Sequence, residues 1–224
     1  MKILPTVFFL LFVSSQHVFA DASNLAVVKL RMREEVYNAE RDMQASHLVY
    51  FLHVLDLSKT ALVLIDVWEH NPLNVEIQVK PARDNIVRLL QFARANHIRI
   101  IHAASGKSIH PDCRPLPGEL IVQKGKNSVM EKNFLKYLRG IDTVIYTGFQ
   151  LNYCVMFNSS GILTAWHNNK NVIIVRDATS ALETVETLSN RWCFFATLSM
   201  IEGQFGSSMA TDDLLYASFE PKEN

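Results

Sequence analysis

From residue 61 onward the chain alternates short apolar runs with stretches of helical period, which leaves few architectures open. Residues 61–66 (ALVLID) are apolar up to a closing acid, the pattern of a parallel strand buried on both faces. Residues 81–97 then place Ile86, Leu89, Leu90 and Ala93 on one helical face, with Arg83, Arg88 and Arg94 elsewhere, and Pro81 suits a first turn. Residues 98–104 read as a strand, 105–118 as a loop rich in Pro and Gly, 120–123 as a strand and 131–139 as a short helix. A further apolar strand, 143–147, is closed by Gly148. Residues 154–167 read as helix, 172–176 as strand and 185–201 as a long last helix. Strands separated by helices at this interval imply βαβ units. The fold class is therefore α/β: a single-domain, three-layer αβα arrangement around a mainly parallel sheet of about five or six strands.

The chain before this region has a different character. Residues 1–20 open with a basic Met1-Lys2, run through an apolar stretch and end Val18-Phe19-Ala20, the form of a cleavable secretory signal cut after Ala20. The stretch is too short to span a bilayer as a mature helix. The expected product is secreted, or periplasmic in a Gram-negative source, with no membrane attachment once the signal is gone. Residues 21–59 form an N-terminal arm or edge segment. Within it, 31–41 is charged and reads as a short surface helix or an arm, and 48–55 is rich in β formers and reads as an edge strand. Residues 60–224 make the main domain, long enough for one sizeable core. Acidic and basic residues balance at 22 each, so no electrostatic footprint for nucleic acid is present.

In open parallel sheets the reactive site lies outside the carboxyl ends of the strands. Three unlike groups converge there: Asp66 ends one strand, Lys124 follows another, and Cys154 lies just past a third, where a helix begins. A thiol attacks as thiolate, so its free pKa of about 8.5 must fall. A helix N-terminus and a nearby ammonium both favour that, and a carboxylate can accept the proton. Each residue also has a plainer reading. Cys154 would serve as a small buried apolar side chain, Asp66 as a turn cap, and Lys124 as a solvated lysine, with Lys126 pointing the same way along an extended chain.

Taken together, residues 61–67 (ALVLIDV), 120–130 (LIVQKGKNSVM) and 143–155 (TVIYTGFQLNYCV) resemble the isochorismatase-like cysteine hydrolases, isochorismatase and the nicotinamidase-related amidohydrolases, in order and spacing. Residues 172–181 (VIIVRDATSA) resemble a later strand of that family and its following Asp-Ala segment, so the likeness runs over roughly 60–215. The resemblance implies an isochorismatase-like, Rossmann-like fold and a catalytic set of Cys154 as nucleophile, Asp66 as general base and Lys124 as the cation steadying thiolate and oxyanion. It also implies a non-proline cis peptide joining Phe149 and Gln150, which would aim the Gln150 N–H, with that of Cys154, at the developing oxyanion. Trp68, His70 and Tyr153 become candidates for the wall of the substrate pocket.

The reaction implied is cleavage of a C–N bond in a small amide-like molecule through a Cys154 thioester, with no cofactor. The nicotinamidase branch of the family carries a metal, held by Asp and His in a loop after the second strand. Here that loop has Lys107 and Ser108 where an acid is wanted, beside His110-Pro111, and no metal is expected. His70 and Met130 stand where relatives often have an acid and a Phe. Two other readings use the same fold: vinyl-ether hydrolysis of the isochorismate type, which needs no cysteine, and a non-catalytic secreted binding or effector protein. The expected partner is a small-molecule substrate, with a homo-oligomer also open. Three cysteines in an oxidising compartment leave one reactive thiol. With Cys154 reserved for chemistry, any disulfide joins Cys113 and Cys193.

Overall fold

Strand β3 (Thr60–Ile65) is buried along its whole length, because layers of apolar side chains cover both of its faces. Leu62 and Leu64 point to one side and Ala61, Val63 and Ile65 to the other, the two-residue alternation of an extended chain. The computed structural model describes residues 25–38, 43–69, 76–104, 108–123 and 128–220. Around β3 lie β4 (Arg99–Ala104), β5 (Leu120–Gln123), β6 (Thr143–Phe149), β7 (Asn171–Ser180) and β8 (Ser207–Met209), all parallel. A long hairpin of β1 (Leu25–Asn38) and β2 (Met43–Asp56) adds to β8 in antiparallel fashion, and β9 (Ser218–Glu220) pairs with β1. The strand order is β2-β1-β8-β7-β6-β3-β4-β5.

Helices cover the sheet on both sides. Helix α1 (Glu76–Ala95) lays Ile86, Leu89, Leu90 and Ala93 on one face, where α5 (Thr211–Leu215) joins it through Leu214. The opposite face carries α2 (Ser128–Tyr137), α3 (Ile162–His167) and α4 (Trp192–Met200), through Phe134, Leu138, Ile162, Ala165, Phe194 and Leu198. Burying each Leu, Ile or Phe of these layers contributes about 1.5–3 kcal/mol, so the central strands hold the fold. Among the described residues no helix is long and apolar enough to cross a membrane.

Four elements depart from the sequence reading. Residues 31–38, with the charges that suggested a helix or arm, are part of strand β1, and the reason is visible on the face opposite Ala26, Val28 and Leu30. Arg31 and Arg33, two residues apart, both reach the buried Glu202 carboxylate, at 2.7 and 3.7 Å, which requires strand spacing. Helix α1 starts before Pro81, so that proline sits inside it and not in the first turn. The expected helix 154–167 is two pieces. A π-helical turn (Leu151–Val155) leads into a bend where Gly161 packs against the Val155 and Met156 carbonyls, and only then does α3 begin. The expected helix 185–201 is also divided: 185–191 are turns, and Arg191, at φ 54°, ends them where Glu183 caps α4 through the Cys193 and Phe194 N–H groups.

The Cys113–Cys193 pairing does not occur. Cys113 belongs to the α1 layer and Cys193 packs into the layer across the sheet, so the sheet stands between them; all three cysteines are free thiols.

Candidate active site

The carboxyl ends of β3 and β6 are locked in register, with Ile65 level with Gly148. That pairing is close enough to demand glycine. Gly148 has φ 113°, and a Cβ there would overlap the Ile65 backbone. The chains therefore leave the sheet side by side, β3 into Asp66 and β6 into Phe149 and Gln150.

Asp66 is fully buried and adopts the left-handed conformation at φ 51°, which Asp tolerates better than most residues. Its N–H donates to the Ala103 carbonyl at 3.0 Å, and its own carbonyl accepts from the Trp68 N–H at 2.8 Å, so its backbone is held on both sides. The next residues pair with the far side of the loop after β4: the Glu69 N–H donates to the Ser108 carbonyl at 2.9 Å and the His110 N–H to the Val67 carbonyl at 3.0 Å. Trp68, half-buried, bridges to Ile109 in this ribbon.

On the β6 side the Phe149–Gln150 peptide is cis. Phe149 and Gln150 are both buried. The Gln150 carbonyl receives the N–H groups of Tyr153 (3.0 Å) and Val155 (3.1 Å), winding the chain into the π-helical turn that carries Cys154. Cys154 is half-buried and Tyr153, beside it, is 55% exposed. The Gln150 side chain accepts from the Ser180 hydroxyl at 3.4 Å, while its buried amide nitrogen has no hydrogen-bond partner among the described residues.

Two supports of this turn come from distant sequence. Asn152 clamps the chain beyond β7 at two points: its amide donates to the Leu182 carbonyl and its oxygen accepts from the Leu182 N–H, both at 2.9 Å. Glu183, next along, caps α4. Burial opposes its ionisation, but hydrogen bonds from Thr187 and the Phe194 and Cys193 N–H groups prevail and hold its carboxyl below the usual range. A separation of 30 residues hides the Asn152 clamp from any local pattern; Ser180 falls in the stretch whose likeness to the family is legible.

Asp66, Trp68, Phe149, Gln150, Tyr153 and Cys154 thus all lie at or just past the carboxyl ends of two adjacent strands. Lys124 and His70 lie outside the described residues; β5 ends at Gln123, one position before Lys124. His110, the suggestive residue of the following loop, serves the local structure. Its Nδ1 accepts from the Asp112 N–H at 3.3 Å and caps a single 3-10 turn. Among the described residues no group of three or more His, Cys, Asp or Glu is arranged to hold a metal ion. The other two thiols differ from Cys154 in setting. Burial, then the Asp112 charge, pushes the Cys113 thiol up to about 12, and Cys193 lies at the start of α4. A cleft of about 740 Å³ exists elsewhere, but it is lined by Asn171 and Val172, which begin β7, and so opens at the other end of the sheet.

Comparison with known proteins agrees with this fold. A family model described as the isochorismatase domain matches residues 60–189. Among curated proteins no match is found. Solved structures similar to this chain include an isochorismatase from Pseudomonas putida (23% identity, 70% of this chain and 91% of that one, TM-score 0.56). A cysteine hydrolase from Pseudomonas syringae pv. phaseolicola is similar at 18% identity, over 72% of this chain and 93% of that one, with TM-score 0.60. An N-carbamoylsarcosine amidase from Thermoplasma acidophilum is similar at 16% identity, over 69% of this chain and 97% of that one, with TM-score 0.51. At these identities the likeness is one of fold.

Proposed function

Because this chain belongs to the isochorismatase family of hydrolases, we propose that it cleaves the C–N bond of a small amide-like substrate by covalent catalysis at Cys154. The observation that carries this reading is the placement of a half-buried cysteine, on the turn directly after β6, beside the strand end that delivers the fully buried Asp66.

In this mechanism Asp66 takes the thiol proton of Cys154 and the thiolate attacks the substrate carbonyl carbon. The negative oxygen that forms is received by the N–H groups of Gln150 and Cys154, with Lys124 supplying the compensating positive charge. Collapse breaks the C–N bond. The proton held on Asp66 passes to the departing nitrogen, so ammonia or an amine leaves and a Cys154 thioester remains. Water, deprotonated by Asp66, then releases the acid and restores the thiol. In this mechanism Trp68 and Tyr153 contact the substrate. The similarity of fold to an N-carbamoylsarcosine amidase supports the C–N bond as target. We also place the site of action outside the cytoplasm, after removal of residues 1–20, on the strength of that segment's signal-like composition.

The test is a panel of small amides, ureides and carbamoyl compounds scored for ammonia release. Turnover of at least one, lost in Cys154→Ala with unchanged circular dichroism, supports the reading. Turnover retained in that variant overturns the thioester.

A further inference from the structure

The sheet has two outer edges, and among the described residues only one is protected. β5 closes one side with four residues, a length too short to template another strand. The other edge is β2, fourteen residues and about 45 Å long at the usual rise per residue, with no further strand beyond it among the described residues. Among the described residues none of the ordinary defences is present. β2 contains no proline, lysine or arginine, and its one carboxylate, Asp56, is its last residue. On the face shared with Lys29 and Arg31, the alternate residues Leu48, Tyr50, Leu52 and Val54 are 38, 53, 73 and 48% exposed, an apolar row that no helix covers among the described residues. The hairpin also precedes the region matched by the family model, which begins at residue 60.

We propose that β2 is the docking edge for a second copy of this chain, pairing antiparallel with itself to join two nine-stranded sheets into one. The open N–H and C=O groups of the edge call for a strand, and the charge pattern selects this strand. With the two-fold axis at Phe51, Tyr50 falls opposite the partner's Leu52 and Leu48 opposite the partner's Val54. The acidic Asp56 falls opposite the partner's Ser46. Apolar side chains meet apolar ones, an aromatic meets an aliphatic, and no like charges face each other. A two-fold arrangement uses the same patch twice and closes, so assembly stops at the dimer instead of growing into a fibre.

Sedimentation velocity of the purified protein across micromolar concentrations, with hydrogen exchange of residues 46–55 at each, tests this. The expected result is a reversible dimer whose β2 amides gain protection as concentration rises. Leu52→Lys, at the most exposed position of the row, weakens dimerisation by about a hundredfold, since symmetry counts the change twice, while leaving far-ultraviolet circular dichroism intact. Leu48→Lys provides a second variant should the first misfold. A monomer at every concentration overturns the proposal. So does a dimer indifferent to both lysines, open-ended growth, or β2 amides protected in a monomer, which would mean that the chain's own residues cover the edge.

Discussion

Ile65 and Gly148 face each other at the ends of β3 and β6, backbone against backbone, with no room for a side chain between them. This contact sets where Asp66 and the turn bearing Cys154 leave the sheet, so the site depends on a residue with no chemistry of its own.

Gly148→Ala is therefore expected to be severe. The new Cβ meets the Ile65 backbone, which cannot move without disturbing the central strand, and φ 113° is a conformation that alanine avoids. A loss of roughly 3 kcal/mol or more is expected, the range of a buried clash combined with backbone strain. Urea unfolding measures it. A change under about 0.5 kcal/mol, the size of an ordinary surface substitution, would show that the strands are not held this closely.

The catalytic assignment predicts a graded series. Cys154→Ala abolishes turnover with the fold intact, a drop of at least about a thousandfold in kcat, and Cys154→Ser does nearly the same because a hydroxyl is far less acidic than a thiol. Asp66→Asn is almost as damaging, since an amide cannot accept the thiol proton, although substrate can still bind. Lys124→Ala slows both catalysis and alkylation of Cys154 at neutral pH. Lys126→Ala is the control and stays mild. A reversal of the two lysines would place the wrong one at the end of β5.

The register behind these expectations was legible in the sequence because fully buried parallel strands advertise themselves. Residues 61–66, 120–123 and 143–147 are apolar runs, and the structure ends β3 and β5 within a residue of those limits and β6 two residues beyond. Helix α1 announced itself by apolar period. Less could be read where tertiary contacts overrule local pattern. The charges of 31–38 suit a helix surface until Glu202, some 170 residues away, draws Arg31 and Arg33 to one side of a strand. The breaks at 158–161 and 185–191 depend on the close approach at Gly161 and the cap from Glu183, neither visible as period. Which cysteines share a side of the sheet was equally hidden, since it turns on how a loop folds back over α1.

That separation of the cysteines predicts their reactivity. Cys113 is completely buried and its thiol is pushed up to about 12, chiefly by desolvation, so it holds its proton at neutral pH and is out of reach of reagent. In the native protein iodoacetamide should label Cys154 and leave Cys113 unmodified until denaturant is added, as peptide mass spectrometry can show. Rapid native labelling of Cys113 would contradict its place in the α1 layer.

The last expectation concerns acid. Glu119, just before β5, gathers four donors: Arg94 Nε at 2.7 Å, Arg94 Nη2 at 3.2 Å, the Leu116 N–H at 3.1 Å and His102 Nε2 at 2.7 Å. Burial resists its charge, yet the bonds from Arg94, His102 and Leu116 outweigh that and bring its pKa from 4.5 down to about 2. His102 moves down as well, because burial outweighs the attraction of Glu119; it is neutral at pH 7 and donates its Nε2–H to the carboxylate. Both shifts act in the same direction. A depressed Glu119 stabilises the fold fully above its ordinary 4.5 and loses that contribution as pH falls towards about 2. A depressed His102 withdraws stability as pH falls below its ordinary 6.5, since the unfolded chain takes up the proton first. Stability to denaturant should therefore decline from about pH 6.5 downwards and steepen below about 4.5. Glu119→Gln should cost on the order of 2 kcal/mol at neutral pH and flatten the curve between about 4.5 and 2. If the variant kept the acid limb of the parent, the carboxylate would not be the group that titrates there, and the anchor at the start of β5 would have to be sought elsewhere.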